Sequence, residues 1–205
     1  MCQIPGVQNA AVGLTLPYER AMIDGVTLSE GKEAGQQIST DEIYVTPGYF
    51  DTLQIPMLAG RLFTDADGPD TAQAVVINQA SARQFFHSAN PVGRYLTTWS
   101  KQNMLIVGVV ATTVGSSAGG LTDDPAPLTS QQTIYRPAAQ ILDGESLYMI
   151  HSWFQPSWIV RTTGPVEGLN AEMQNALARR RSQLALFRLL RHGQLDGRHP
   201  RDPED

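Results

Sequence analysis

Apolar and polar residues alternate along Val7–Pro17, where Val12, Leu14 and Leu16 recur at every second position. That is the period of a half-buried strand. The polar, glycine-bearing stretch Tyr18–Gln37 reads as a long loop or an irregular hairpin, and Glu42–Thr46 (EIYVT) as the next strand. Thr46 is placed to cap a short helix with Pro47 in its first turn. Tyr49, Phe50 and Leu53 share one face of that helix, and Pro56 ends it. Ala74–Asn78 (AVVIN) is a compact strand, and Asn78 caps the helix Gln79–Phe86, whose Ala82, Phe85 and Phe86 face a core. Asn90–Arg94 (NPVGR) is turn chemistry, with Gly93 supplying an unusual backbone angle.

Strands follow at YLTTW, at the β-branched run that begins at Met104, at Thr133–Pro137 and at Ser157–Gly164. Ser100–Asn103 joins the first two as a polar turn, and Gly115–Ser130 is a glycine- and proline-rich loop. Pro165–Leu184 is the clearest helix, with Leu169, Met173, Ala176, Leu177 and Leu184 on one side. Few, short helices are scattered among irregularly spaced strands, and no βαβ unit repeats. The fold class expected is therefore α+β rather than doubly wound.

With 205 residues the chain can bury a core without staples, and 17% charged residues argue against wholesale disorder. The net charge of -5 is unevenly spread: residues after 178 carry +3 and the remainder -8. An acidic body lacks the basic surface that nucleic-acid binding requires. The arginines of the tail, Arg179, Arg180, Arg181, Arg188, Arg191, Arg198 and Arg201, read as a solvated helix end and a loose terminus, with contact to RNA or anionic lipid as the alternative. Cys2 has no partner for an internal disulfide. No run approaches the ~18–20 apolar residues that span a bilayer. Met1–Ala10 lacks a charged segment followed by an apolar one, so no signal peptide is visible.

Candidate chemistry is sparse. Gly115–Gly119 (GSSAG) fits G-x-S-x-G, with Ser117 in the nucleophile place and His151 downstream. An elbow must pass at once into a helix, however, and the residues after Gly120 include Pro125 and Pro127. Asp65, Asp67 and Asp70 cluster near Gly68 without the spacing of a calcium loop; turn and cap roles account for them. His87, His151, His192 and His199 make no metal-ligand spacing with one another. Trp153, Phe154 and Trp158 form an aromatic cluster that reads as core or hinge packing, with a partner-binding patch as the alternative. No catalytic, cofactor-binding or metal-ligating residue is assigned.

Six fragments in order carry a resemblance: Pro47-Gly48-Tyr49-Phe50 with Ile55; Gly60-Arg61-Leu62-Phe63; Val76-Ile77-Asn78; Ala82-Arg83-Gln84-Phe85; Pro91-Val92-Gly93; and Ile106-Val107-Gly108-Val109-Val110. Together with IYRPAAQ, they resemble the MacB-like periplasmic core domain of ABC-transporter permeases, across residues 4–180. The resemblance implies a two-lobed α+β domain outside the membrane: a porter-like lobe and a smaller mixed lobe inserted at about Val45–Val114. Residues 181–205 would then be a frayed or atypical tail. It also implies a non-catalytic role, in which cytoplasmic ATP hydrolysis moves membrane helices and this domain passes the motion to a substrate or partner outside. The partners implied are the permease's own membrane helices, its ATPase, a second permease copy, and an adaptor protein or lipoprotein; no cofactor and no nucleic acid is implied. Membrane helices frame the domain in the family, and their absence here points to an excised segment or a truncated gene. A serine hydrolase using Ser117 and a soluble binding module are the alternatives from other classes.

Overall fold

The computed structural model describes residues 4–16, 22–29, 34–87, 90–98, 101–116, 128–130, 132–141 and 156–179. The chain opens with strands β1 (Val7–Gly13), β2 (Met22–Leu28) and β3 (Gln37–Val45), then a short helix α1 (Tyr49–Leu53). Next come β4 (Met57–Gly60), β5 (Ala74–Asn78), helix α2 (Gln79–Phe86), β6 (Tyr95–Thr98) and β7 (Asn103–Val110). After these stand β8 (Val114–Ser116), β9 (Leu128–Ser130), β10 (Thr133–Pro137), β11 (Ser157–Thr162) and helix α3 (Leu169–Arg179). Nine of the strands make one mixed sheet, and β8 and β9 pair separately.

The sheet closes on itself. Strand β10 runs parallel to β3 on one side and antiparallel to β5 on the other. From β5 the ladder continues through β7, β6 and β2 back to β3. Three strands of this ring lie within Val45–Val114 and three outside it. Period-two alternation then sorts side chains into two cores. Val26, Ile38, Val75, Leu96, Ile106 and Ile134 point into the ring, and Phe85 and Phe86 of α2 plug it. Their alternates Ile43, Val45, Val76, Val107, Val110 and Tyr135 form an outer core with Tyr49, Phe50 and Phe63. Strand β5 is buried at every position because both its faces are covered.

The expected α+β class holds, and so do β5, α2 and their junction: Asn78 Oδ1 accepts from the Ser81 amide at 2.8 Å. The Tyr18–Gln37 stretch contains the full strand β2. From Met22 opposite Glu42 to Thr27 opposite Gln37 it pairs antiparallel with β3, which makes the hairpin reading the right one. In β1 the inward residues are Ala11 and Gly13, not Val12. A Cβ on Gly13 would sit 2.7 Å from the Tyr49 ring, so small residues are what let α1 lie on this strand. Thr46 does not cap α1. Its Oγ1 accepts from the Val12 amide at 2.8 Å, and Gly48, at φ 85°, occupies the cap position. The helix stops at Gln54, in the left-handed region, two residues before Pro56. Two ends of the Gly115–Ser130 loop pair as β8 and β9. The C-terminal helix is described over Leu169–Arg179, with Met173 buried; Leu184 lies outside the described residues.

Candidate functional site: a charge cluster inside the ring

Parity along β2, β3 and β10 sends Asp24, Glu42, Tyr44 and Arg136 toward the ring interior, where apolar residues occupy the same inward rows. Arg136 is held from several elements. Its Nη1 donates to Glu42 Oε1 and to the Tyr44 hydroxyl, each at 2.8 Å. Its Nη2 donates to Gln102 Oε1 at 2.8 Å and to Gln73 Oε1 at 3.3 Å. The guanidinium also lies 5.1 Å from the centre of the Tyr44 ring. The Arg136 and Glu42 side chains are 6% and 3% exposed, so this ion pair is fully desolvated. A pair of that kind costs several kcal/mol if one partner is lost, because the other charge is left stranded.

Burial raises the Glu42 carboxyl above its ordinary range, against the opposing pull of Arg136, and the neighbouring Asp24 charge pushes it further the same way. Burial likewise raises Asp24, while the Gly25 amide and Arg136 pull it back. Burial disfavours the charge on Arg136, but Glu42 and Tyr44 outweigh it and hold the guanidinium protonated. On the outer face, burial alone raises Asp41 to about 6.

A second polar feature is the clasp between Arg61 and Asp67. Arg61 Nη1 and Nη2 reach the two Asp67 oxygens at 2.8 and 2.7 Å, and the Thr64 amide donates to Asp67 Oδ2 at 2.9 Å. Beside it opens a cavity of about 390 Å³, lined by Arg61, Thr64, Asp67 and Thr71 over an apolar floor that includes Leu105 and Val107. Gln140, 1% exposed, pins the far side of this strap. It accepts from the Ala74 amide at 2.9 Å and donates to Thr71 Oγ1 and the Ala72 carbonyl at 3.0 Å.

The residues singled out in the sequence are not brought together. Ser117, His151, Trp153, Phe154, Cys2, His192, His199 and the arginines after Arg179 lie outside the described residues. The strand leading to Ser117 is β8, whose partner is the antiparallel β9 and not the main sheet. A nucleophile elbow instead stands at the end of a central parallel strand. Of the acidic trio, Asp67 is taken by Arg61 and Thr64, and Asp65 and Asp70 are exposed. Among the described residues no group of three or more His, Cys, Asp or Glu side chains could hold a metal ion. His87 ends α2 with φ 54°, its amide donating to the Arg83 carbonyl. Trp158 sits in β11 opposite Val12, with its Nε1 buried and unpartnered. The interior cluster escaped the reading of the sequence, although a signal was there. Glu42 and Arg136 are opposite charges at inward positions of two paired strands, in register rows otherwise held by residues such as Ile38 and Ile134.

The motif fragments do definite structural work. Phe50 packs edge-on against Tyr135 with ring centres 5.0 Å apart, and Tyr49 packs edge-on against Phe50 at 5.5 Å. Gly60 and Gly108 let β4 approach and pair with β7, Asn78 caps α2, and Gly93, at φ 88°, turns the chain into β6. This ordered set is a family's set: the chain belongs to the MacB-like periplasmic core domains, whose sequence profile matches residues 4–176. No curated protein matches the chain. Among solved structures it is similar to the periplasmic region of MacB from Actinobacillus actinomycetemcomitans. That match has 15% identity and a TM-score of 0.56, over 87% of this chain and 69% of the other. A permease protein domain from Porphyromonas gingivalis is similar at 18% identity and a TM-score of 0.55, over 88% of this chain and 68% of that one. Among the described residues no helix is long and apolar enough to cross a membrane.

Proposed function

We propose that this domain is the extracytoplasmic, non-catalytic part of an ABC-transporter permease. It passes the ATP-driven motion of the membrane helices to a substrate or partner protein outside the membrane. The observation that carries this reading is the family match over residues 4–176, read with what the matched motifs do: close strand pairing at glycines, a helix cap and aromatic packing stiffen the body. A domain that transmits force needs stiff bodies and a place to bend, and it needs no reactive group of its own. Its partners would be the permease's membrane helices and the ATPase, with a second permease copy, an adaptor or a lipoprotein on the outer side. The division between lobes would separate the ring, to which Val45–Val114 contributes, from the β1–β11 pair and α3.

The test joins the domain to its membrane segments and its ATPase. With Cys2 replaced by serine, spin labels at Ser39→Cys on the ring and Glu172→Cys on α3 should report different distances in ATP-bound and nucleotide-free states. One unchanging distance in every nucleotide state would overturn the reading.

A further inference from the structure

Two carboxyl groups and one guanidinium share the polar end of the ring. Asp24 on β2 lies opposite Thr40 and Glu42 on β3 lies opposite Met22, so the two carboxyl-bearing residues are diagonal neighbours on the inward face of adjacent, antiparallel strands. Arg136 comes from β10 on the other side of β3 and bonds Glu42 directly. The groups acting on the pair are Arg136, which opposes their protonation, and the Tyr44 hydroxyl and Gly25 amide, which donate hydrogen bonds. Gln73 and Gln102 complete the shell and are neutral. With both carboxyls ionised, the interior would hold two negative charges against one positive. Glu42 is buried and Asp24 half-buried, so a second negative charge without a second cation beside it is disfavoured.

We propose that Asp24 and Glu42 hold one proton between them against Arg136, which makes the closure of β2, β3 and β10 a proton-linked latch. The proton belongs to the pair and not to either residue. Holding it, Asp24 and Glu42 make one internal hydrogen bond and present a single charge to Arg136. Losing it places two like charges side by side on neighbouring strands at the point where the ring closes. The unfolded chain would ionise both groups near their ordinary values of 3.8 and 4.5. Above that range the folded chain therefore binds more protons than the unfolded one. The pair's contribution to stability is fully present at and below the ordinary carboxylate range, and is lost as pH rises through the pair's own titration. In a domain facing the outside of a cell, that ties the stiffness of the ring to the acidity of the surroundings.

Asp41 titrates in the same sense, so the measurement is made in an Asp41→Asn background. Urea unfolding of the whole chain is followed from pH 4 to pH 9, with and without Asp24→Asn. The single variant should take up about one proton more on folding than the double variant, read as the slope of stability against pH. The double variant should keep its stability at alkaline pH. Identical slopes in the two proteins would overturn the latch. Should the double variant fail to fold, carbon-13 carboxyl shifts of Asp24 and Glu42 in the wild-type chain decide the matter. Shared titration steps, one of them above the ordinary carboxylate range, are expected, and two independent titrations within that range would also overturn it.

Discussion

Gly60 and Gly108 stand opposite one another where β4 pairs antiparallel with β7, at a separation that admits no side chain. A Cβ on Gly60 would lie 2.2 Å from the Val107 carbonyl oxygen, and one on Gly108 would lie 2.2 Å from that of Arg61. Both obstacles are backbone and cannot swing aside. Gly60 also sits at φ 74°, which disfavours any side chain. This is the physical content of two motif fragments, Gly-Arg-x-Phe and Ile-Val-Gly-Val-Val. Each needs its glycine because the other strand is there.

Gly108→Ala is accordingly expected to cost about 3 kcal/mol, the scale of a severe core disruption. Gly93 makes the comparison. Unlike Gly108 it has a positive φ, of 88°, but a Cβ there meets nothing within 4 Å. Gly93→Ala should therefore cost only the left-handed strain, about 1 kcal/mol. Urea unfolding of the two variants measures the difference. Equal losses would show that the close approach of β4 and β7 is not what constrains Gly108.

The Arg61–Asp67 clasp lends itself to a pH experiment. The Arg61 hydrogen bonds hold the Asp67 carboxyl below its ordinary value of 3.8, and the Thr64 amide adds to the effect. A lowered carboxyl contributes stability that is present above the ordinary value and is lost as pH falls through the folded one. The Arg61 side chain is 52% exposed, so solvent screens most of the ionic part. Asp67→Ala should cost about 1 kcal/mol at neutral pH through the lost bond to the Thr64 amide. Asp67→Asn keeps an acceptor for that amide and should cost less. As pH falls below the ordinary carboxylate range, the difference between Asp67→Ala and wild type should shrink, because protonation undoes the same contacts.

Asp41 behaves in the opposite sense. Burial raises it to about 6. A raised carboxyl favours the fold while protonated, and that advantage fades as pH climbs from 3.8 to about 6. Above that window the ionised group is a burden that asparagine does not carry. Asp41→Asn should be more stable than wild type at pH 7.5 by about 1 kcal/mol, after discounting for partial exposure. The gain should vanish near pH 4. A gain that persists unchanged at acid pH would show that the charge is not its source.

How much of this was legible in the chain depends on how local each cause is. Strand β5 and helix α2 could be read because an unbroken apolar run and the capping Asn78 sit within a few residues of each other. Strand β2 was hidden by Asp24-Gly25 in its middle, which looks like a turn. The aspartate is inward because Glu42 and Arg136 are there, and Arg136 is 94 residues from Glu42 in sequence. Thr46 has the chemistry of a cap, yet its hydroxyl is taken by Val12 from a strand that a local window does not contain. Ring closure rests on the parallel β10–β3 pairing, a long-range contact with no periodicity of its own. The charge cluster shares that origin: only the closed ring makes Glu42 and Arg136 neighbours.

Asn78 offers the sharpest test of how the plug is fastened to the ring. The residue is 0% exposed, and its Oδ1 accepts from two amides, Ser81 at 2.8 Å and Thr133 at 3.3 Å. The first bond starts α2; the second ties that start to β10. Ser81 Oγ returns the favour by donating to the Thr133 carbonyl at 3.1 Å. Phe85 and Phe86, which fill one end of the ring, therefore depend on a helix anchored at its first turn to the strand that closes the ring. Asn78→Ala strips the cap and strands two buried amides, for an expected loss of about 2–3 kcal/mol. Asn78→Ser can keep the cap to Ser81 but has a shorter reach to Thr133, and should recover only part of that loss. Amide exchange adds a spatial readout: Ser81 and Thr133 should both lose protection in Asn78→Ala, while the β1–β11 ladder keeps its own. Protection lost at Ser81 alone would mean that the helix is capped but not moored to β10.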